Sequence, residues 1–215
     1  MSKTGVLRGV FLVAMLATVL GCRQNRPSYN AVSARVWNNR MVDSAVHLLR
    51  SGNIVLRMGR GADSYLLSQM NRRDKTYSHC GIVMVEQGYP FVYHSIGGED
   101  NPDERLRRDS AAFFFSPEHN MAIALVDYRE DSATLHRLNN IVTEYYRARP
   151  KFDLQFDLKT DDQLYCAEFV YRSLNRATLD TGFIKTTTFM GCTFVGIDAL
   201  FDNGHGDIVW RTKFK

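Results

Sequence analysis

The stretch Ser78 to Ile96, SHCGIVMVEQGYPFVYHSI, constrains this chain most. Two apolar, β-rich runs flank Gln87-Gly88, which reads as a turn between two paired strands. Side chains alternate along a strand, so His79 shares a face with Gly81, Val83 and Val85. With the turn at Glu86 to Tyr89, Val85 faces Pro90, Gly81 faces His94 and His79 faces Ile96. In that register His79 and His94 are diagonal neighbours, roughly 7 Å apart at Cβ. A shift of two residues sets them opposite one another, and a shift of one sends them to opposite faces. Gly81 leaves open space beside them.

The second organising stretch is Asp161 to Leu174, DDQLYCAEFVYRSL. Leu164, Phe169, Val170 and Leu174 form an apolar stripe at helical spacing, and Asp161 or Asp162 supplies the expected N-cap. Cys166 then lies in the first turn, where free N–H groups and the helix dipole favour a thiolate. A buried structural cysteine is the other reading of such a residue.

A cysteine nucleophile needs a base. His47 and His136 fall on helical patterns and His119 and His205 in turns, which suits surface or packing roles. His79 opens an otherwise apolar strand, and the hairpin brings His94 beside it. The arrangement suggests that Cys166 attacks, His79 takes the proton, and His94 orients His79. Two histidines with Cys166 or an aspartate are an alternative zinc set, but the chain has neither HExxH nor CxxC, so no metal and no cofactor is expected.

The N-terminus reads as an export signal. Lys3 and Arg8 precede the apolar run Val10 to Leu20, which is too short to span a bilayer comfortably. Val19-Leu20-Gly21-Cys22 then resembles a bacterial lipobox, with Cys22 as the lipidated residue. Arg23 follows in place of aspartate, which points to the outer membrane. The expected organisation is a lipoprotein signal peptide over 1–21, a polar tether over 22–40 and one domain over 41–215. With Cys22 lipidated, Cys80, Cys166 and Cys192 remain, an odd number that leaves at least one thiol unpaired within the chain; Cys80 with Cys192 is a possible disulfide.

Along the rest of the chain, Met41 to Arg50, Ala62 to Met70 and Asp131 to about Arg147 read as helices. Asn53 to Met58, Met121 to Val126 and Ile208 to Phe214 read as strands, and Gly97 to Asp109 as a charged loop. The pattern is a single α+β domain with an antiparallel hairpin group and helices around it. A net charge of +4 with scattered basic residues gives no nucleic-acid footprint.

These residues resemble the permuted papain-like amidases of the YaeF/YiiX type, relatives of NlpC-type cell-wall peptidases and of lecithin retinol acyltransferase. The matching pieces are Asn53-Ile54-Val55-Leu56-Arg57 with Gly59, Ser78-His79-Cys80-Gly81-Ile82-Val83, the polar His94, and Leu164-Tyr165-Cys166-Ala167-Glu168-Phe169-Val170-Tyr171. The resemblance implies a circularly permuted papain-like fold, histidine strand first and cysteine helix last, with the antiparallel sheet packed on that helix. It implies Cys166 as nucleophile and His79 as base, with His94 like the third residue of the acyltransferase relatives. Glu168 is placed in helix positioning or substrate contact, and Tyr77 or Tyr165 as a second oxyanion donor. Arg57, Arg60, Arg129 and Phe113 to Phe115 are candidate pocket residues.

The function expected from these features is a lipid-anchored cysteine amidase or peptidase of the cell envelope, facing the periplasm. Its substrate would be a peptidoglycan stem peptide or an N-acyl amino acid. The alternatives are an acyltransferase or thioesterase using the same cysteine, and a non-catalytic envelope-binding module.

Overall fold

The structure, a computed structural model, describes residues 29–98 and 101–215. The expected signal peptide and Cys22 lie outside the described residues. Helix α1 (Tyr29–Leu48) begins well before the predicted Met41 and takes in much of the segment expected as tether. The reason is a narrow inward stripe, Asn38, Val42, Ala45 and Leu49, at helical spacing within an otherwise polar sequence. Asn38 also ties the two ends of the domain together. Its Nδ2 donates to the Lys215 carbonyl at 3.0 Å and its Oδ1 accepts from the Lys215 N–H at 2.9 Å.

Eight strands follow. They are β1 (Ile54–Gly59), β2 (His79–Glu86), β3 (Tyr89–His94), β4 (Arg107–Ser110), β5 (Asn120–Asp127), β6 (Thr187–Phe189), β7 (Cys192–Phe194) and β8 (Asp207–Lys213). The main sheet is antiparallel throughout, in the order β4-β3-β2-β1-β5-β8. A separate two-stranded hairpin joins β6 to β7. The remaining helices are α2 (Ala62–Ser68), α3 (Ala111–Phe114), α4 (Ser132–Ala148) and α5 (Cys166–Thr178).

Both faces of the sheet are covered, so β1 and β2 are continuous apolar runs in which successive residues serve different cores. Ile54, Leu56, Cys80 and Ile82 meet Leu138, Phe169 and Leu174 of α4 and α5. Val55, Val83 and Val92 meet Val42, Ala45 and Phe114 of α1 and α3.

The hairpin has the predicted register, with Val85 opposite Pro90 and Val83 opposite Val92. Gln87 and Gly88 both take positive φ, 51° and 86°, the conformation that matches a two-residue turn to the twist of its strands. The segment read as a charged loop contributes β4, paired with β3 through Val92–Asp109 and His94–Arg107. Four charged or hydroxyl residues give no apolar alternation, so pairing with β3 alone reveals that strand.

Helix α5 starts at Cys166 with Tyr165 as N-cap residue, not Asp161 or Asp162. Asp161 instead pairs with Arg172 at 2.6 Å on the surface. The segment before the helix is held by paired backbone hydrogen bonds. The Lys151 N–H donates to the Asp162 carbonyl and the Leu164 N–H to the Lys151 carbonyl. Cys80, Cys166 and Cys192 are all free, so the suggested Cys80–Cys192 disulfide is absent.

Candidate functional site

The start of β2, the end of β3 and β4 place three polar side chains in line. Nε2 of His79 lies 2.9 Å from Nδ1 of His94, and Nε2 of His94 lies 3.0 Å from Oδ2 of Asp109. Arg107 donates to the other oxygen of Asp109 at 2.8 Å. Phe114 packs against both imidazoles, with ring centroids 5.7 and 5.1 Å away.

Both histidines are buried, and burial drives their pKa values down, His79 well below its ordinary range and His94 to about 4. For His79, Arg57 adds to the effect. For His94, the Asp109 carboxylate opposes it. Asp109 itself is pushed up by burial, but its bonds to His94 and Arg107 outweigh this and hold it low. The chain of neutral imidazoles ending on a carboxylate fixes its own proton order. The His94 Nε2–H donates to Asp109, which leaves His94 Nδ1 to accept from His79 Nε2–H. The Nδ1 atom of His79 then carries a lone pair, an acceptor rather than a donor.

Gly81 makes this closeness possible. A Cβ there would sit 2.5 Å from Val92 Cγ1, 2.8 Å from the Tyr93 carbonyl and 3.0 Å from His94 Cβ.

Cys166 opens α5, buried but on the wall of a cleft of about 770 Å³ that His79 also lines. Its thiol interacts with Cys80. The Cys80 hydrogen bond is the main cause that draws the Cys166 pKa below its usual value, with N–H groups at the helix start assisting against burial. Cys80 moves the other way, raised well above its ordinary value by burial and then by Cys166. The alternation of β2 explains this pairing. His79 turns toward Phe114 on the α3 face, while Cys80 turns into the core beneath α5.

Arg57 and Arg60 line the cleft as well, opposite-signed to Asp63 and Glu118, which line it too. Leu66, Leu67, Phe152, Leu154 and Phe156 supply an apolar wall. Arg129 is instead paired with Asp207 on the surface, and Phe114 and Phe115 are buried in the α1 core. Phe113 is half exposed beside His119 and Arg107.

Glu168, Tyr165 and Tyr77 are buried, and none of them lines the cleft. One Glu168 oxygen accepts from the Tyr165 N–H at 3.4 Å and the other from Arg172 Nε at 2.8 Å. Burial pushes its pKa up to about 7 against the pull of Arg172. Tyr165 accepts the Val195 N–H on its hydroxyl at 2.7 Å, fixing the β7 end beside the helix start. Sequence reasoning missed Asp109, because its strand carries no signature, and missed Cys80 as the neighbour of Cys166.

No protein-family model matches this chain, and no curated protein sequence matches it. Its structure is similar to the crystal structure of the metalloprotein yiiX from Escherichia coli O157:H7, with a TM-score of 0.62. The two are 16% identical, and the match covers 76% of this chain and 98% of that one. The likeness shows a YiiX-type α+β fold, with the histidine strand before the cysteine helix in the permuted order.

The expected cysteine amidase or peptidase is corrected by these findings, and with it the acyltransferase or thioesterase that shares the cysteine. The similar structure is that of a metalloprotein, and the described residues form no closed Cys-His-His triad. His79 gives its Nε2 to His94, and the sulfur of Cys166 engages Cys80; no hydrogen bond joins it to either imidazole among the described residues. Nor do the described residues gather three or more His, Cys, Asp or Glu side chains to hold a metal ion.

Proposed function

We propose that this chain is a ligand-binding protein of the cell envelope whose cleft holds an amino-acid-derived amide, of the class of a cell-wall stem peptide. The mixed lining of the cleft carries this reading. Two arginines and two carboxylates face a molecule that bears both charges, and Leu66, Leu67 and Leu154 offer apolar contact. The Nδ1 lone pair of His79 accepts an amide N–H. A largely apolar cleft of this size with a few placed polar groups suits a small organic ligand. The nitrogens of His94 and the oxygens of Asp109 are committed to one another and to neighbours, which favours an organic ligand over a metal ion.

An N-acyl amino acid is the second reading. It is favoured by the exposed apolar rim, where Leu66 and Leu154 are 67% and 63% accessible. Lipidation at Cys22 would hold the domain at the periplasmic side of the outer membrane.

Calorimetric titration of the full chain with a synthetic stem peptide and with an N-acyl amino acid tests both readings. The stem peptide binds, is recovered intact by mass spectrometry, and binds about tenfold more weakly to Arg57→Gln. Binding of the N-acyl amino acid alone selects the second reading. Binding of neither, or cleavage of either, overturns the proposal. Palmitate labelling in a bacterial host that vanishes in Cys22→Ser supports the anchor, and labelling that persists removes it.

A further inference from the structure

The geometry points to a reversible dithiol–disulfide pair between Cys80 and Cys166, a redox site reached by small peroxides through the cleft. Three observations carry it. Cys80 projects from the second residue of β2 into the core beneath α5, and Cys166 is the first residue of that helix. Helix α5 packs on β2, both cysteines belong to the apolar cluster between them, and, burial aside, each is the only side chain that moves the other's thiol pKa. Only Cys166 lines the cleft, and Cys80 is fully enclosed. One sulfur therefore meets solvent-borne reagents, and the other stands behind it.

The chemistry follows from that asymmetry. The helix start and the donated Cys80 S–H favour thiolate on Cys166. The thiolate attacks one oxygen of hydrogen peroxide, the O–O bond breaks, and hydroxide leaves with the electron pair. Cys166 becomes a sulfenic acid. The Cys80 sulfur then attacks the Cys166 sulfur, giving the disulfide; the Cys80 proton and the departing hydroxyl leave as water. Two thiols are oxidised and one peroxide is reduced. An external dithiol reverses the step by exchange. A thiol enclosed in apolar surroundings is an unreactive first target, which assigns Cys80 the resolving role and Cys166 the peroxide-sensing one. Cys192 is exposed on β7 and takes no part.

The test is peptide mapping of the full chain after mild hydrogen peroxide, unfolding, and alkylation of the remaining thiols. The expected result is a linked peptide pair joining the segments that hold Cys80 and Cys166. Its mass is lower by two hydrogens, both sites are lost to alkylation, and a dithiol restores them. In Cys80→Ser the sulfenic acid of Cys166 persists and is trapped by dimedone. Circular dichroism first checks that the variant is folded, and the wild-type map stands without it. Sulfinic or sulfonic acid at Cys166 with Cys80 still alkylated overturns the pairing. So does a bridge to Cys192, or a Cys166 that peroxide leaves untouched. None of these outcomes depends on which ligand the cleft accepts.

Discussion

His79 Nε2 sits 2.9 Å from His94 Nδ1, with the two rings nearly perpendicular at 79°. An N–H can lie on only one side of that contact, so the pair shares a single proton there. Burial favours the fully neutral state, and Asp109 decides the direction in which the donors point.

Stability should therefore depend on pH in the mildly acidic range. Both histidines have folded pKa values below the ordinary 6.5, with His94 at about 4, so the unfolded chain binds protons first as pH falls. The stabilising contribution is complete above about pH 6.5 and is lost progressively as pH drops toward the folded value. For His94 alone the loss is on the order of 3 kcal/mol by pH 4. Urea unfolding at a series of pH values checks this; a flat midpoint between pH 7 and pH 4 would contradict the neutral chain.

Asp109→Asn removes the carboxylate that orders the protons. His94 Nε2 retains an amide oxygen as acceptor, but His94 loses the charge that opposes its burial, and its pKa falls further. A cost of about 1–2 kcal/mol is expected, since a neutral acceptor replaces a charged one. Imidazole nitrogen shifts in the NMR spectrum should show a mixture of His94 tautomers in place of one.

Gly81→Ala should force the hairpin apart where the histidines meet. The added methyl overlaps Val92 Cγ1 and the Tyr93 carbonyl, and a strand carbonyl cannot move without disturbing the ladder. Overpacking of this kind costs about 1–3 kcal/mol. The same variant should weaken the His79–His94 hydrogen bond, visible as exchange broadening of the shared proton. Unchanged stability and an intact shared proton would show that the strands have more slack than these distances allow.

Glu168→Ala should weaken the start of α5. It leaves the Arg172 guanidinium without its buried partner and removes the acceptor of the Tyr165 N–H. Arg172 keeps Asp161 and two carbonyls, so the loss is that of charged hydrogen bonds, about 1.5–3 kcal/mol. Glu168→Gln keeps an oxygen for the N-cap and should recover more than half of the loss. Thermal unfolding of the two variants side by side separates the cap from the charge.

The sequence reached the hairpin because its determinants are local. The Gln87-Gly88 turn and the period-two pattern set the register, and the register alone put His79 beside His94. It reached the start of α5 to within a few residues, but chose Asp161 or Asp162 as N-cap on residue preference. The neighbouring chain overrode that preference, since Lys151 holds residues 162 to 164 extended. It did not reach β4, where Arg107 to Ser110 are shaped by pairing with β3.

The amino-acid order by itself determined the strand pattern, the helical stripe and the meeting of two imidazoles, since each depends on neighbours along the chain or across one tight turn. Tertiary structure decided what those groups face. Cys166 lies far in sequence from both Cys80 and His79, and the packing of α5 on one side of β2 chose the first as the partner of its thiol. The same packing left His79 with Phe114 and His94 on the other side, joined through His94 to Asp109. Alternation along a strand says that adjacent residues part ways; only the position of the layers says which one meets the cysteine.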